Sequence, residues 1–582
     1  MVIDFRERPI DSQAALFLCR GARGESELLL KVISLLSQSV GHGSVCVDLK
    51  EIAGGSLRFP DGKDLVLPGQ YELISIVGSL KSVGRPGEHR PLVLDKEGRL
   101  YLYRYFMYQE TLAEQIRSRS STVSDEIDKS LLGESLDRLF PRDGEGDDLQ
   151  REAASIAILR CFSVISGGPG TGKTSTVVRI LCLLLEQPGG MRQRIAMAAP
   201  TGKAAARLSS SIATIRESLP CTEEIKLALP ETVTTIHRLL GTLPGSKGFR
   251  HSARNPLPYD TVIIDEASMV DLPLMTALIT ALMPAARLIL LGDKDQLASV
   301  AAGAVLGDIC RAGETAGSAV EGCVTVLEKN FRFNEGSGIA ELSRAVNMGD
   351  GREALMLLGD SSIGRITIEP SPAREVIRTR LAEPVIDGYR SFLEAQDPAA
   401  ALLLFERFRI LSALREGPWG ADGLNRAAES LLGAAGLLHP SGDFYRGRPL
   451  LVTENDYSHR LFNGDTGIIF PDPETGTLRA FFPAPDGSVR SIPPEFLPQH
   501  ETAFAMTVHK SQGSEFDRVI LVLPPEDKLL LTRELVYTGI TRAKESIAVW
   551  ADEAVFASAV GRRTERRSGL REALAEAPGL IS

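Results

Sequence analysis

The stretch FSVISGGPGTGKTSTVVRILCLLL, residues 162–185, decides the fold. A short apolar run, FSVIS, leads into a glycine-rich turn and then into a helical pattern, the order that a phosphate cradle requires. Gly167, Gly168, Pro169, Gly170, Thr171, Gly172, Lys173 and Thr174 fit the pattern GxxxxGK[ST] at every position. Glycines let backbone N–H groups turn inward around a β-phosphate, and Lys173 offers a cation to the β/γ oxygens. Thr174 offers a hydroxyl to Mg²⁺ at the start of a helix whose dipole favours an anion. With Ser175, these residues form the candidate nucleotide-binding loop, and ATP and Mg²⁺ are the expected cofactors.

Outward from this loop the texture is α/β. FSVISGG, RIAMAAP, TVIIDEAS and ARLILLGD alternate with helical patterns. Fully apolar strands separated by helices predict a parallel sheet covered on both faces. After about residue 330 a second set appears, with FRILSAL, AFAMTVHKS, RVILVLP and SIAVWAD. Between them, near 440–500, a Gly/Pro/Asp-rich run of short strand-like pieces reads as a small β-barrel inserted into the second domain. Toward the N-terminus, residues 13–50 are helical in pattern, and Lys96–Gly98 turns a hairpin that leads into a helix. The expected units are an N-terminal domain over 1–115, a linker over 116–148, and α/β domains over 149–330 and 331–582. The basic tail GRRTERRSG reads as a solvated helix face, with a DNA or partner contact as the other reading.

Length and composition agree. The chain has 582 residues, enough for three or four units at roughly 150 residues each. Apolar residues make up 43% and charged residues 24%, ordinary for a globular protein. No run approaches the roughly 18 apolar residues that cross a bilayer, and MVIDFRERPI lacks the apolar core of a signal peptide. A cytoplasmic location with no membrane partner is expected. The seven cysteines form no CxxC pair, which points to reduced core thiols and against a metal cluster. A net charge of −10 argues against coating duplex DNA nonspecifically, but leaves room for a narrow basic channel.

A triphosphate site also needs carboxylates. TVIIDEAS ends an apolar strand with Asp265, suited to hold Mg²⁺ through water, and Glu266, suited to orient or deprotonate the attacking water. LILLGDKDQLASV ends another strand, and its Gln296 is the amide expected near the γ-phosphate. Gln150, ahead of the first helix, is spaced to read adenine.

In order along the chain stand GGPGTGKT, APTGKAAARL, TTIHRLLG, IIDEASMV, GDKDQLASV, NFRF, ETAFAMTVHKSQGSEF and LVYTGITRAK. This set resembles motifs I to VI of superfamily 1 DNA helicases over about residues 150–550, and its last two members resemble the RecD branch, which tracks 5′ to 3′. The resemblance implies two RecA-like P-loop domains, an SH3-like insertion near 440–500 and a mainly helical N-terminal domain. It makes Arg332 and Arg542 the candidate γ-phosphate sensors of the second domain, in the manner of an arginine finger. It also implies DNA contacts to phosphates through Pro200, Thr201, Lys203, Thr235, His237, Thr507, His509, Lys510 and Ser511, with no base-edge code. His237 equally fits a core histidine, and residues 242–258 fit either a strand-splitting pin or a plain loop.

The first 110 residues are similar to the N-terminal domain of exodeoxyribonuclease V alpha subunits. That resemblance implies a heterotrimer with a RecB-like beta and a RecC-like gamma subunit, acting on single- and double-stranded DNA in recombinational repair, with the nuclease site on the beta subunit. The alternatives are a standalone 5′–3′ repair helicase, a structural subunit with a vestigial nucleotide site, and a P-loop ATPase acting on protein.

Overall fold

The computed structural model describes residues 2–20, 27–123, 127–141, 148–243, 245, 248–331, 338–456, 458–484 and 488–575. At the N-terminus, β1 (Val2–Asp4), β2 (Cys46–Asp48), β3 (Ser56–Arg58), β4 (Asp64–Val66), β5 (Val83–Gly84), β6 (Leu92–Leu94) and β7 (Arg99–Leu102) form two small sheets, in orders β1-β3-β4 and β2-β7-β6-β5. The helices Pro9–Leu18, Glu27–Gly41 and Gln70–Gly78 close a local core over them, around Phe5, Val32, Leu36, Leu57 and Leu73. The expected hairpin is the antiparallel β6–β7 pair.

The first α/β domain follows with β8 (Phe162–Gly167), β9 (Ile195–Ala199), β10 (Thr234–Thr235), β11 (Thr261–Ile264), β12 (Arg287–Gly292) and β13 (Val324–Leu327). All pair in parallel, in the order β10-β9-β11-β12-β8-β13. Strand alternation splits their side chains between two cores. Phe162, Val164, Leu288 and Leu290 face one side, and Ile165, Ile289 and Leu291 face the other.

In the second α/β domain β14 (Ile366–Glu369) and β15 (Phe408–Ser412) precede an excursion. It comprises β16 (Pro449–Val452), β17 (Thr466–Pro471), β18 (Leu478–Pro483), β19 (Val489–Ile492) and β20 (His500–Thr502). This insertion is a five-stranded antiparallel sheet in the order β19-β18-β17-β16-β20, with a small core of its own around Leu450, Ile469 and Phe482. The domain sheet then resumes with β21 (Ala505–Thr507), β22 (Phe516–Val522) and β23 (Ala543–Trp550), all parallel in the order β14-β23-β22-β15-β21.

Three readings of the sequence are corrected. The boundary near 115 falls inside a helix, Tyr103–Ser120, whose Phe106, Leu112 and Ile116 join the core under the first parallel sheet. Arg119, buried in the same helix, donates to the carbonyls of Ile279, Leu282 and Met283, where the helix Leu272–Thr280 ends. Such a cation at a helix C-terminus meets carbonyls that have no partner within the helix.

The supposed linker contains the helix Lys129–Leu139, capped by the Asp128 carboxylate. Its Leu132, Leu136 and Leu139, on one face at i, i+4 and i+7, pack into the core on the other side of that sheet.

The basic tail is not a helix face: only Gly561 ends a helix, and although Arg563 and Glu565 are exposed, Arg566 and Arg567 are partly buried. Residues 562–568 have no regular secondary structure and run as a strap from the second α/β domain back to the other two. Arg566 donates to the carbonyls of Ser299, Ala301 and Gly303 in the first α/β domain. Arg567 pairs with Glu51, and its carbonyl accepts from Val45 N–H at 2.7 Å, both in the N-terminal domain. The last described helix, Leu570–Ala575, then buries Leu570 and Leu574 in the core beneath the first parallel sheet.

All the cysteines except Cys221 are buried. Among the described residues no helix is long and apolar enough to cross a membrane. The segment 242–258, in its described residues, is irregular, with isolated bridges Thr242–Phe249 and Ser252–Asn255.

Candidate nucleotide site and interdomain cleft

The loop after β8 turns on Gly170 and Gly172, at φ of 84° and 81° in the left-handed region where a side chain is strained. Gly168 answers a different demand: a Cβ there would lie 2.8 Å from the Tyr537 hydroxyl of the second domain. The helix Lys173–Glu186 begins at Lys173. Lys173 Nζ donates to the carbonyls of Gly167 and Gly168, so its charge lies over the mouth of the loop. Thr171 Oγ1 donates to Gly168 O at 2.8 Å. Gln150 Nε2 donates to Thr171 O at 3.0 Å, which sets this amide against the loop backbone.

Asp265 and Glu266 follow β11. Asp265 is pushed up to about 6 by burial and by the neighbouring Glu266 charge. Glu266 is a non-glycine residue in the left-handed region, at φ 51°, held there as its N–H donates to Asp265 Oδ1 at 2.9 Å. A cavity of about 300 Å³ opens beside them. Lys173, Thr174, Asp265, Glu266 and Gln296 line it from the first domain, and Arg542 lines it from the second. Arg542 is anchored from behind, its Nε donating to Thr538 O and its Nη1 to Ser514 O. Arg332 lies outside the described residues; its neighbour Phe331 lines the same cavity.

Sequence reasoning missed the residues that lock the two domains together. Asp293, at the end of β12, accepts from the Tyr537 hydroxyl at 2.9 Å and from Gln296 Nε2 at 3.1 Å. Burial pushes Asp293 up to about 6 and Tyr537 well above its usual value. Leu297 N–H donates to Thr538 Oγ1, and Gln512 Nε2 donates to Leu297 O. Also missed was Arg207, on the helix Gly202–Ser218, which lines the cavity and pairs with Glu515 of the second domain. Burial opposes its charge, but Glu515, Glu266 and Asp265 outweigh that and hold it above the usual arginine value. The only sequence signal for these residues was their position inside the quoted motifs.

The candidate DNA contacts lie at element ends. Thr201 Oγ1 caps the helix Gly202–Ser218, directly after Pro200, and Thr235 Oγ1 caps the short helix Ile236–Leu240. Lys203 Nζ reaches across to Glu406 Oε1 at 3.2 Å and Thr466 Oγ1 at 3.3 Å. Thr507 Oγ1 accepts from Lys510 N–H, and Lys510 Nζ donates to Glu501 Oε1 at 2.7 Å. His237 packs edge-on to Phe249, and burial lowers its proton affinity. Burial and the nearby Arg566 do the same to His509. Ser511 is a correction: it is fully buried and its hydroxyl donates to Val508 O at 2.8 Å, so it stabilises a turn and presents nothing to a strand.

Two parallel sheets, joined across a cavity that one lines with a phosphate loop and the other with an arginine, define a nucleotide-driven motor of the superfamily 1 helicase class. Its profile matches are the AAA domain over residues 150–302, the UvrD-like helicase C-terminal domain over 502–549, and the RecBCD enzyme subunit RecD, N-terminal domain, over 7–101. It is 40% identical to the RecBCD enzyme subunit RecD of Mycobacterium tuberculosis, over 96% of this chain and 94% of that protein, and it belongs to the RecD family. The RecD subunit of Haemophilus influenzae is 34% identical over 82% of this chain and 80% of that protein. The ATP-dependent RecD2 DNA helicase of Deinococcus radiodurans is 30% identical over 86% of this chain, but over only 63% of that longer protein.

Proposed function

We propose that the chain hydrolyses ATP to move 5′ to 3′ along single-stranded DNA, as the motor subunit of a RecBCD-type helicase–nuclease in double-strand-break repair. The observation that carries this reading is the shared cavity, where Lys173 and Asp265 of one domain meet Arg542 of the other. Charge moving onto the γ-phosphate is then felt by both lobes at once, which lets bond cleavage change their separation.

Thr174 and Asp265 would hold Mg²⁺, and the buried, acid-rich pair Asp265–Glu266 suits a divalent cation. Bound there, the ion would neutralise charge on the β/γ oxygens. Lys173 would swing from its loop carbonyls to those oxygens, Glu266 would orient the attacking water, and Gln296 would report on the γ-phosphate. Thr201, Lys203, Thr235, His237, Thr507, His509 and Lys510 would hold the strand by its backbone, with Lys203 and Lys510 leaving their carboxylate partners for phosphates.

The N-terminal match over 7–101 favours assembly with beta and gamma subunits, in the cytoplasm, over a standalone helicase. Co-purification from the native cell tests this, since recovery of the chain alone would favour the standalone reading. The motor itself is tested on tailed duplexes. Unwinding should require a 5′ single-stranded tail, and Lys173→Gln should abolish DNA-stimulated ATP hydrolysis without loss of fold. Equal unwinding from a 3′ tail, or undiminished turnover in the variant, counts against it.

A further inference from the structure

The cavity holds one arginine that the proposed reaction leaves unused. We infer that Arg207 is a γ-phosphate ligand of this cleft, for which the Glu515 carboxylate of the second domain competes. The inference rests on the functional reading above and deepens it.

Arg207 stands on the same wall as Lys173, Thr174, Asp265 and Glu266, and Glu515 stands on the opposite wall with Arg542. Glu515 directly follows Ser514, whose carbonyl anchors Arg542, so a carboxylate and a sensor arginine sit side by side on the second domain. The ion pair Arg207–Glu515 therefore spans the cleft where a triphosphate would close it. The Arg207 side chain is 42% exposed and that of Glu515 12%, so the pair is half-buried at the cavity wall, where burial works against the arginine charge. A guanidinium matches a phosphate with two parallel N–H donors, and a terminal phosphate carries more charge than the single carboxylate it would replace. A terminal phosphate is thus able to draw Arg207 away from Glu515, whereas a diphosphate lacks the group to do so.

The position on the helix adds a consequence. Lys203 lies four residues before Arg207, about 6 Å along the axis and on the same face. It makes its own bridge to the second domain, through Glu406 and Thr466. One rigid helix thus carries a cation for the nucleotide and, one turn away, a cation among the candidate strand contacts. A shift of Arg207 between partners is felt at Thr201 and Lys203 without any intervening loop.

The test is nucleotide affinity, measured by calorimetry with Mg²⁺ present, for AMP-PNP and for ADP. Arg207→Gln should weaken AMP-PNP about 10- to 100-fold, the loss of one charge-assisted contact, and leave ADP within about twofold. Arg207→Lys should recover part of the loss. Glu515→Gln should move the other way and tighten AMP-PNP several-fold by removing the competitor. Retained ADP binding shows that each variant is folded. Equal weakening of both nucleotides, no weakening of either, or a Glu515→Gln variant that loses AMP-PNP as Arg207→Gln does, makes the pair a structural clamp and overturns the inference. Wild-type protein that discriminates AMP-PNP through Arg207 but shows no DNA-stimulated turnover would instead refute the motor reading.

Discussion

Asp293 is a carboxylate shut between the motor domains, and burial pushes it up to about 6 from an ordinary value of 3.8. At about 1.4 kcal/mol per tenfold change in proton affinity, an ionised Asp293 costs the folded state about 3 kcal/mol at pH 7.5. The sign follows from the direction. Below about pH 3.8 the carboxyl is neutral in both folded and unfolded chains, and there is no penalty. As pH rises toward 6 and beyond, the unfolded chain ionises freely, the folded one ionises at a cost, and stability is lost.

Asp293→Asn removes that cost. The new amide also finds an acceptor, because Gln296 Oε1 is buried with no hydrogen-bond partner and a turned Gln296 amide presents it. The variant should therefore melt above wild type by about 6–12 °C at pH 7.5, at roughly 2–4 °C per kcal/mol for a domain of this size. The gap should close near pH 4. Meanwhile ATP turnover on single-stranded DNA should fall at least tenfold, since Gln296 loses the carboxylate that aims it (an order-of-magnitude figure for one misplaced polar group). Calorimetric melting from pH 4 to 7.5 and steady-state ATPase rates read both arms. A variant less stable than wild type at pH 7.5, or a gap that ignores pH, would refute the reasoning.

Two further substitutions probe the locks between domains. Tyr537→Phe deletes the hydroxyl that donates to Asp293, so DNA-stimulated turnover should drop about tenfold or more, from a loss of roughly 1.5–3 kcal/mol, with ADP affinity unchanged by calorimetry. Arg566→Ala removes a donor from three carbonyls, of which those of Ala301 and Gly303 keep the Ser299 hydroxyl and that of Ser299 loses its guanidinium partner. Melting should reveal about 2–4 kcal/mol of lost stability, and Arg566→Lys should restore only part of it because an ammonium cannot reproduce the planar fork.

Much of the architecture was legible because local chemistry and global fold agree. The glycines of residues 167–172 are spaced as the loop needs them, and continuous apolar strands such as β8 and β12 announce a sheet buried on both faces. The hairpin at Lys96–Gly98 was likewise visible. What stayed hidden depends on partners far away in sequence. The helix Lys129–Leu139 shows its leucines only when read as one face, among charges that resemble a linker. The basic tail looks solvated until backbone carbonyls more than 260 residues upstream satisfy Arg566. The pairs Asp293–Tyr537 and Arg207–Glu515 cross between domains, and no periodicity or spacing rule reaches that distance. Lys203 and Lys510 were legible as cations but not as paired ones, because Glu406 and Glu501 approach them only in the folded chain.

The strap has a mechanical consequence. The polypeptide passes from the first lobe to the second after β13 and comes back along residues 562–569, so the second lobe is fastened at two places. A rigid body pinned at two separated points keeps a single rotation, about the line through them. Any opening of the second lobe is then expected to swing about that line, like a door on two hinges, with each opening retracing the arc of the last.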